Sequence, residues 1–269
     1  MAKRRITDLL RMKAASEKIA MLTCYEAGFA KEMKDAGVDA ILVGDSLGMV
    51  VQGHGSTLPV TLEEMIYHTE NIVRSHPDAF IVVDLPFGSY EGSCEEAFRA
   101  ASALMKAGAE MVKLEGGAGM AKMTAFLTAR GIPVCGHVGL LPQSVHLTGG
   151  YRVQGRDLQV AAQLIEDARA HQSAGAQLMV VECVPEEVGE ALSIALDIPV
   201  IGIGAGALTD GQVLVMHDML GVRGEVAPRF VKNFLASSAE KGDPSIEGAF
   251  KNYVTEVKTG VFPGKEHLF

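Results

Sequence analysis

The sequence predicts one α/β domain built as a (β/α)8 TIM barrel, with an N-terminal helix before it and a C-terminal helical extension after it. Three observations carry that expectation. Eight short β-like runs recur along the chain. Several are continuously apolar rather than alternating, which is the pattern of strands covered on both faces in a parallel sheet. Helical patterns lie between most of them, with no Pro/Gly/Ser-rich linker to divide the chain.

Residues 7–17, TDLLRMKAASE, read as an amphipathic helix suited to closing the bottom of a barrel. The β-like runs follow at 19–25, 39–46, 79–87, 110–116, 132–140, 177–184, 198–206 and 213–221. The helical pattern at 26–37 stops at Gly37. The one at 61–75 opens on Thr61 with Glu64 three residues on, a capping-box spacing, and 93–108 repeats it with Ser93 and Glu96. Further helical patterns occupy 119–131, 158–175 and 185–197. The last stretch reads as two helices and a tail whose apolar positions need a partner, either this barrel or a neighbouring subunit. The expected organisation is a single domain over 1–269, with the barrel at 19–224 and the C-terminal helices at 225–269. A doubly wound open sheet is the alternative. It would place a Gly-rich turn after the first strand, and TCYEAGFA is not GxGxxG.

Composition narrows the function. The chain has 269 residues, 48% apolar and 21% charged, enough for a sizeable core. A net charge of −9 argues against nucleic-acid binding through a broad basic surface and suits small-molecule substrates. No apolar run is long enough to span a membrane, and none follows the basic start as a secretory signal would. The four cysteines, Cys24, Cys94, Cys135 and Cys183, form no CxxC. They read as reduced thiols of a cytosolic protein rather than as a disulfide or zinc set.

Catalytic groups of such barrels sit at the C-terminal ends of the strands. Here those ends carry Asp45 and Ser46, then Asp84, Lys113 with Glu115, His137 and Glu182. Converging carboxylates repel one another and need cations. Lys113 supplies one positive charge, and a hard divalent ion such as Mg²⁺ supplies the rest. Asp45, Asp84 and Glu115, from three neighbouring strands, are the natural metal set. A metal with open positions suits a chelating 2-oxo acid whose enolate it stabilises. Lys113 then holds the substrate carboxylate, and Glu182 takes a proton beside the ketone. Each residue also has a structural reading. Asp45 and Asp84 fit turn or capping acids. Lys113 and Glu115, two apart on a strand, fit an interior salt bridge. His137 fits a core histidine, and Glu182 fits a partner for an arginine. Cys135, two before His137, reads as a core thiol.

Several long stretches together resemble the ketopantoate hydroxymethyltransferase family. They are LVGDSLGMVVQGHGSTLPVTLEEMIYHT (42–69), DLPFGSY (84–90), VKLEGG (112–117), VCGHVGLLPQSV (134–145), GGYRVQGR (149–156), ECVP (182–185), VIGIGAG (200–206) and GQVLVMHDMLG (211–221). Gly55 and Leu141 stand where the family often has aspartate and threonine. The resemblance implies a (β/α)8 barrel, Mg²⁺, and 5,10-methylenetetrahydrofolate as one-carbon donor to 3-methyl-2-oxobutanoate in pantothenate biosynthesis. It also implies a cytoplasmic homo-oligomer, typically a decamer. Its metal and ketoacid group matches Asp45, Ser46, Asp84, Lys113 and Glu115, its general base matches Glu182, and His137 matches a histidine near the substrate. In that scheme Asp45 faces the metal and Ser46 the ketoacid. Neighbours on a strand point to opposite sides, so the chain must leave strand geometry at Gly44-Asp45. The rival chemistry is a Mg²⁺-dependent 2-oxo acid C–C lyase or mutase of the isocitrate lyase and phosphoenolpyruvate mutase type, whose reactive-cysteine motif CGH (135–137) echoes.

Overall fold

The computed structural model describes residues 3–222 and 227–269. Eight parallel strands close into a barrel in chain order, with β1 paired to β8. They are β1 (Ile19–Thr23), β2 (Ala40–Val43), β3 (Phe80–Asp84), β4 (Met111–Glu115), β5 (Val134–Gly139), β6 (Leu178–Glu182), β7 (Val200–Ile203) and β8 (Gly211–Leu214). Every strand residue except Gly139 and Glu182 is buried, as the continuous apolar runs require. The boundary expected at 224/225 lies outside the described residues.

Helix α1 (Ile6–Ala14) buries Leu9 and Met12 and sits at the N-terminal ends of the strands. There Arg4 pairs with Asp39, just before β2, at 3.0 Å, and Lys13 pairs with Asp210, just before β8, at 2.6 Å. The outer wall then runs through α2 (Ala27–Ala36), α4 (Leu62–Arg74), α5 (Cys94–Ala107), α6 (Ala121–Thr128), α8 (Leu158–Ser173) and α9 (Glu186–Ala195), with the short α3 (Leu47–Val50) and α7 (Val145–Thr148) in the loops after β2 and β5. The box at α4 forms as expected. Thr61 Oγ1 accepts the Glu64 N–H at 3.2 Å, and Glu64 returns to the Thr61 N–H at 2.8 Å. Among the described residues no helix is long and apolar enough to cross a membrane.

Two local expectations change. The apolar run at 213–221 is not one strand. β8 ends at Leu214, and α10 (Met216–Met219) follows at once, because the Met216 N–H leaves the ladder to donate to Thr23 Oγ1 at 2.9 Å. The run at 198–206 also stops early, at Ile203, and residues 204–210 reach β8 without a helix. The wall helix that belongs after β8 comes from the C-terminus. After α11 (Phe234–Glu240), α12 (Ile246–Lys258) packs against α2 and β1, burying Phe250, Tyr253 and Val257. Tyr253 reaches the carbonyl oxygens of Met21 and Gln212 at 2.8 and 2.9 Å, bridging β1 and β8. Lys258 closes on Asp39 at 2.6 Å, so both termini are tied to the barrel bottom. The apolar faces of these helices are therefore covered by this barrel.

Candidate active site

The strand ends deliver their ionisable groups to one cavity of about 430 Å³ at the C-terminal mouth of the barrel. Asp45, Ser46, Asp84, Lys113, Glu115, His137 and Glu182 all line it. β2 ends at Val43, and Ser46 already has helical angles, φ −52° and ψ −19°, so the chain has turned out of strand geometry where the division of roles requires. Gly44 permits the turn. A Cβ there would stand 2.9 Å from Ser46 Oγ and 3.5 Å from Asp84 Oδ2. The Asp45 N–H donates to that same Oδ2 at 3.0 Å. Ser46 Oγ lies 2.9 Å from the hydroxyl of buried Tyr25, which burial keeps protonated.

Lys113 is the hub. Its Nζ stands 2.9 Å from Asp84 Oδ1 and 3.2 Å from His137 Nδ1. Burial pulls its pKa down, but Asp84, Glu115 and Asp45 outweigh that and hold it well above the usual lysine range, so it is an ammonium. An ammonium has hydrogens only to give. His137 Nδ1 is therefore the acceptor, and the ring proton sits on Nε2, facing Glu182 Oε2 across a long 3.3 Å contact. Burial and the Lys113 charge both lower the His137 pKa, so the ring is neutral. Lys113 thus fixes the ring, and the Nε2–H is turned toward Glu182 without completing a hydrogen bond to it. The structural reading of Glu182 as an arginine partner gives way to this one.

The carboxylates carry the opposite burden. Burial first, then Asp84 and Glu115, hold Asp45 well above the usual carboxylate range. Glu115 is pushed up to about 7, by burial against the pull of Lys113. Burial also raises Glu182, whose side chain keeps 15% exposure. Three carboxylates sharing one lysine leave uncompensated negative charge. That deficit suits a hard divalent cation, and oxygen donors are the right kind for it. Among the described residues no three His, Cys, Asp or Glu side chains converge closely enough to chelate an ion alone. An ion held by one or two carboxylates and completed by water and substrate is compatible with that spacing.

Glu182 is aimed by its backbone. Cys183, the residue after it, has φ +49°, a costly angle for a side chain with a Cβ. The turn is held from both sides: the Cys183 N–H donates to Ile203 O at 2.9 Å, and its carbonyl accepts the Gln154 N–H at 2.8 Å. Across the ladder, Gly139 has φ +95°, and a Cβ there would stand 2.3 Å from Glu182 O. Gly139→Ala is expected to cost on the order of 1–3 kcal/mol and to displace Glu182. Thermal melts and turnover check it. A variant with unchanged turnover would free this position from the site.

Sequence reasoning missed two residues here. Gln143 donates its side-chain N–H groups to Asp45 Oδ2 and Leu85 O at 2.8 and 2.9 Å, and Tyr90 donates to Gln143 Oε1 at 2.6 Å. Both are buried. Gln143 follows Pro142 in the loop after β5, and Tyr90 follows a Gly-Ser turn. Only the folding of both loops over the β2–β4 ends brings them to the carboxylates.

Fold and site together define a (β/α)8-barrel enzyme with a carboxylate-rich centre at its C-terminal mouth. Solved structures agree on the fold. Phosphonopyruvate hydrolase superposes with a TM-score of 0.63 at 13% identity, over 97% of this chain and 98% of that one. 2,3-Dimethylmalate lyase, a member of the PEP mutase/isocitrate lyase superfamily, gives 0.57 at 16% identity, over 95% and 96%. Sequence decides the family. The family model for ketopantoate hydroxymethyltransferase matches residues 3–265. The 3-methyl-2-oxobutanoate hydroxymethyltransferase of Neisseria gonorrhoeae (strain NCCP11945) is 56% identical over 264 residues, 98% of each chain. That of Thiobacillus denitrificans is 57% identical over the same share of each. The chain belongs to the ketopantoate hydroxymethyltransferase family and is a hydroxymethyltransferase.

Proposed function

We propose that this enzyme converts 3-methyl-2-oxobutanoate, 5,10-methylenetetrahydrofolate and water to ketopantoate and tetrahydrofolate, for pantothenate biosynthesis. The observation that carries the reading is Lys113 fixing a neutral His137 whose Nε2 is turned toward Glu182, beside an undercompensated trio of carboxylates. Lys113 and Ser46 orient the ketoacid through its carboxylate or ketone oxygen. Glu182, its pKa raised by burial, removes the C3 proton as general base. The His137 Nε2–H, turned toward the Glu182 carboxylate, supports its charged form. Mg²⁺ held near Asp45, Asp84 and Glu115 would act as a Lewis acid that stabilises negative charge on the ketone oxygen. One of the two bonds from the methylene carbon to folate nitrogen opens to an iminium, C3 bonds to that carbon, and water then displaces the second nitrogen and supplies the hydroxyl; the proton from C3 and one from water end on the two nitrogens of tetrahydrofolate. The cavity, about 430 Å³, leaves room beyond a five-carbon ketoacid for part of a larger second substrate. With this reading goes a cytoplasmic homo-oligomer, a decamer in the family pattern; light scattering tests the subunit number.

The test is the complete reaction with each component omitted in turn, together with exchange of the ketoacid C3 hydrogen in D₂O. Loss of product on omitting any one of ketoacid, folate or Mg²⁺ supports the proposal. Full turnover without folate, or no Mg²⁺-dependent exchange, sinks it. The lyase or mutase alternative is separated by Cys135→Ala. The Cys135 thiol is fully buried, donates to the Gly136 carbonyl at 3.3 Å, and is pushed up to about 12, mainly by burial. It is a poor nucleophile or acid. The variant is expected to keep transferase activity within about threefold, since surroundings adapt to a small buried change. A collapse of activity in a folded variant would favour the lyase reading.

A further inference from the structure

We propose that Gln143, fixed in one orientation by Tyr90, is the positioning residue that holds Asp45 and Glu115 in their cation-binding arrangement. The inference rests on the metal reading above and assigns a role to two residues outside that reading's site set.

Gln143 is 6% exposed and Tyr90 1%. Gln143 touches both outer carboxylates of the trio. Its side-chain Nε2 donates to Asp45 Oδ2 at 2.8 Å, and its backbone N–H donates to Glu115 Oε2 at 3.0 Å. The second Nε2 hydrogen goes to the Leu85 carbonyl at 2.9 Å, just past Asp84. One residue thus spans the ends of β2, β3 and β4, its side chain reaching the first two and its backbone N–H the third.

The amide orientation is determined, not arbitrary. The Glu115 N–H donates to the Tyr90 hydroxyl at 3.1 Å. The hydroxyl's own proton then points to Gln143 Oε1 at 2.6 Å, in preference to the Glu115 carbonyl at 3.3 Å. With Oε1 accepting from Tyr90, the NH₂ group must face Asp45 and Leu85. A flipped amide would set its oxygen against a carboxylate and a carbonyl, and two buried acceptors would lose their donor.

The residue type also matters. Lysine or arginine in this place would neutralise Asp45 and compete with a cation. Glutamine gives two N–H groups and no charge. It orients the carboxylate while leaving its charge for the ion. Partners of metal ligands typically change metal affinity by about 10–100-fold when removed.

The experiment is calorimetric titration of the metal-stripped full-length protein with Mn²⁺. It compares wild type, Gln143→Met, Tyr90→Phe and the double variant, and measures kcat at saturating metal alongside. Wild type is expected to bind Mn²⁺. Gln143→Met weakens binding by about 10–100-fold. Tyr90→Phe weakens it by several-fold, and the double variant is no weaker than Gln143→Met, because Tyr90 acts through the glutamine. The metal dissociation constant moves more than kcat. Unchanged Mn²⁺ affinity in Gln143→Met, or additive losses in the double variant, overturns the proposal and leaves the metal reading standing. A wild type that binds no Mn²⁺ brings down the metal reading and this proposal with it. If Gln143→Met does not fold, Tyr90→Phe decides, since it removes one oxygen and opens no cavity. Wild-type Mn²⁺ affinity in that variant then overturns the proposal.

Discussion

Glu182→Gln is expected to lower C3–hydrogen exchange of 3-methyl-2-oxobutanoate by about 10²–10⁴-fold, the usual contribution of a positioned general base. The substitution keeps the shape of the side chain and removes the basic lone pair. Burial already disfavours the Glu182 charge, so a neutral amide costs the fold little. Ketoacid binding should persist, because Lys113 and Ser46 are untouched. The sign of the pH effect follows. The base must be ionised, and burial raises its pKa, so wild-type kcat/KM falls on the acid side with a midpoint above the ordinary glutamate value of about 4.3. The His137 contact opposes that rise. His137→Leu should therefore move the acid limb further up. Exchange rates measured in D₂O across pH check both points. Near wild-type exchange in Glu182→Gln would remove Glu182 from the base role, and an unmoved limb in His137→Leu would remove His137 from supporting it.

Much of this site is legible in the sequence, for a geometric reason. In a parallel barrel the last residue of a strand lies at the mouth, so Asp84, Glu115 and Glu182, the terminal residues of β3, β4 and β6, mark themselves. Lys113 shares a strand face with Glu115 by the two-residue repeat. Asp45 was readable because an acid and a glycine interrupt an apolar run. What could not be read depends on chain segments far apart in sequence. Gln143 meets Asp45 across 98 positions, and nothing local marks it. The eighth strand ends sooner than VLVMHDMLG suggests, because periodicity cannot divide that apolar run between strand and helix. Its true end is set by Thr23 capturing the Met216 N–H. The same holds for the C-terminal helices. Their apolar faces announce a need for a partner, but only the fold shows that α12 covers β1 beside α2, because the helix directly after β8, α10, is four residues long.

Lys113→Met should produce the second large effect, on stability and activity together. In wild type this ammonium faces three buried carboxylates and one histidine nitrogen. Methionine fills a similar volume and supplies no charge. Removing one partner of a buried ion pair typically costs about 3–5 kcal/mol, because the remaining charge is stranded. Here the remainder is Asp84 with Asp45 and Glu115 beside it, so the loss should be large while those groups are ionised. Asp45 and Glu115 both have raised pKa values, Glu115 about 7, and a raised carboxylate contributes stability below its unfolded pKa that is lost as pH rises through its folded one. Without Lys113 those values rise further. The gap in melting temperature between variant and wild type should therefore be greatest near pH 8 and shrink toward pH 5, where the stranded carboxylates take up protons. Mg²⁺ should recover part of the gap at the higher pH by restoring positive charge. Activity should not return with it, since His137 Nδ1 has lost its donor and the ring is no longer held in the tautomer that presents Nε2–H to Glu182. Calorimetric melts at pH 5 and 8, with and without Mg²⁺, separate the two consequences. A gap independent of pH would mean that packing around Lys113, rather than its charge, holds the mouth of the barrel together.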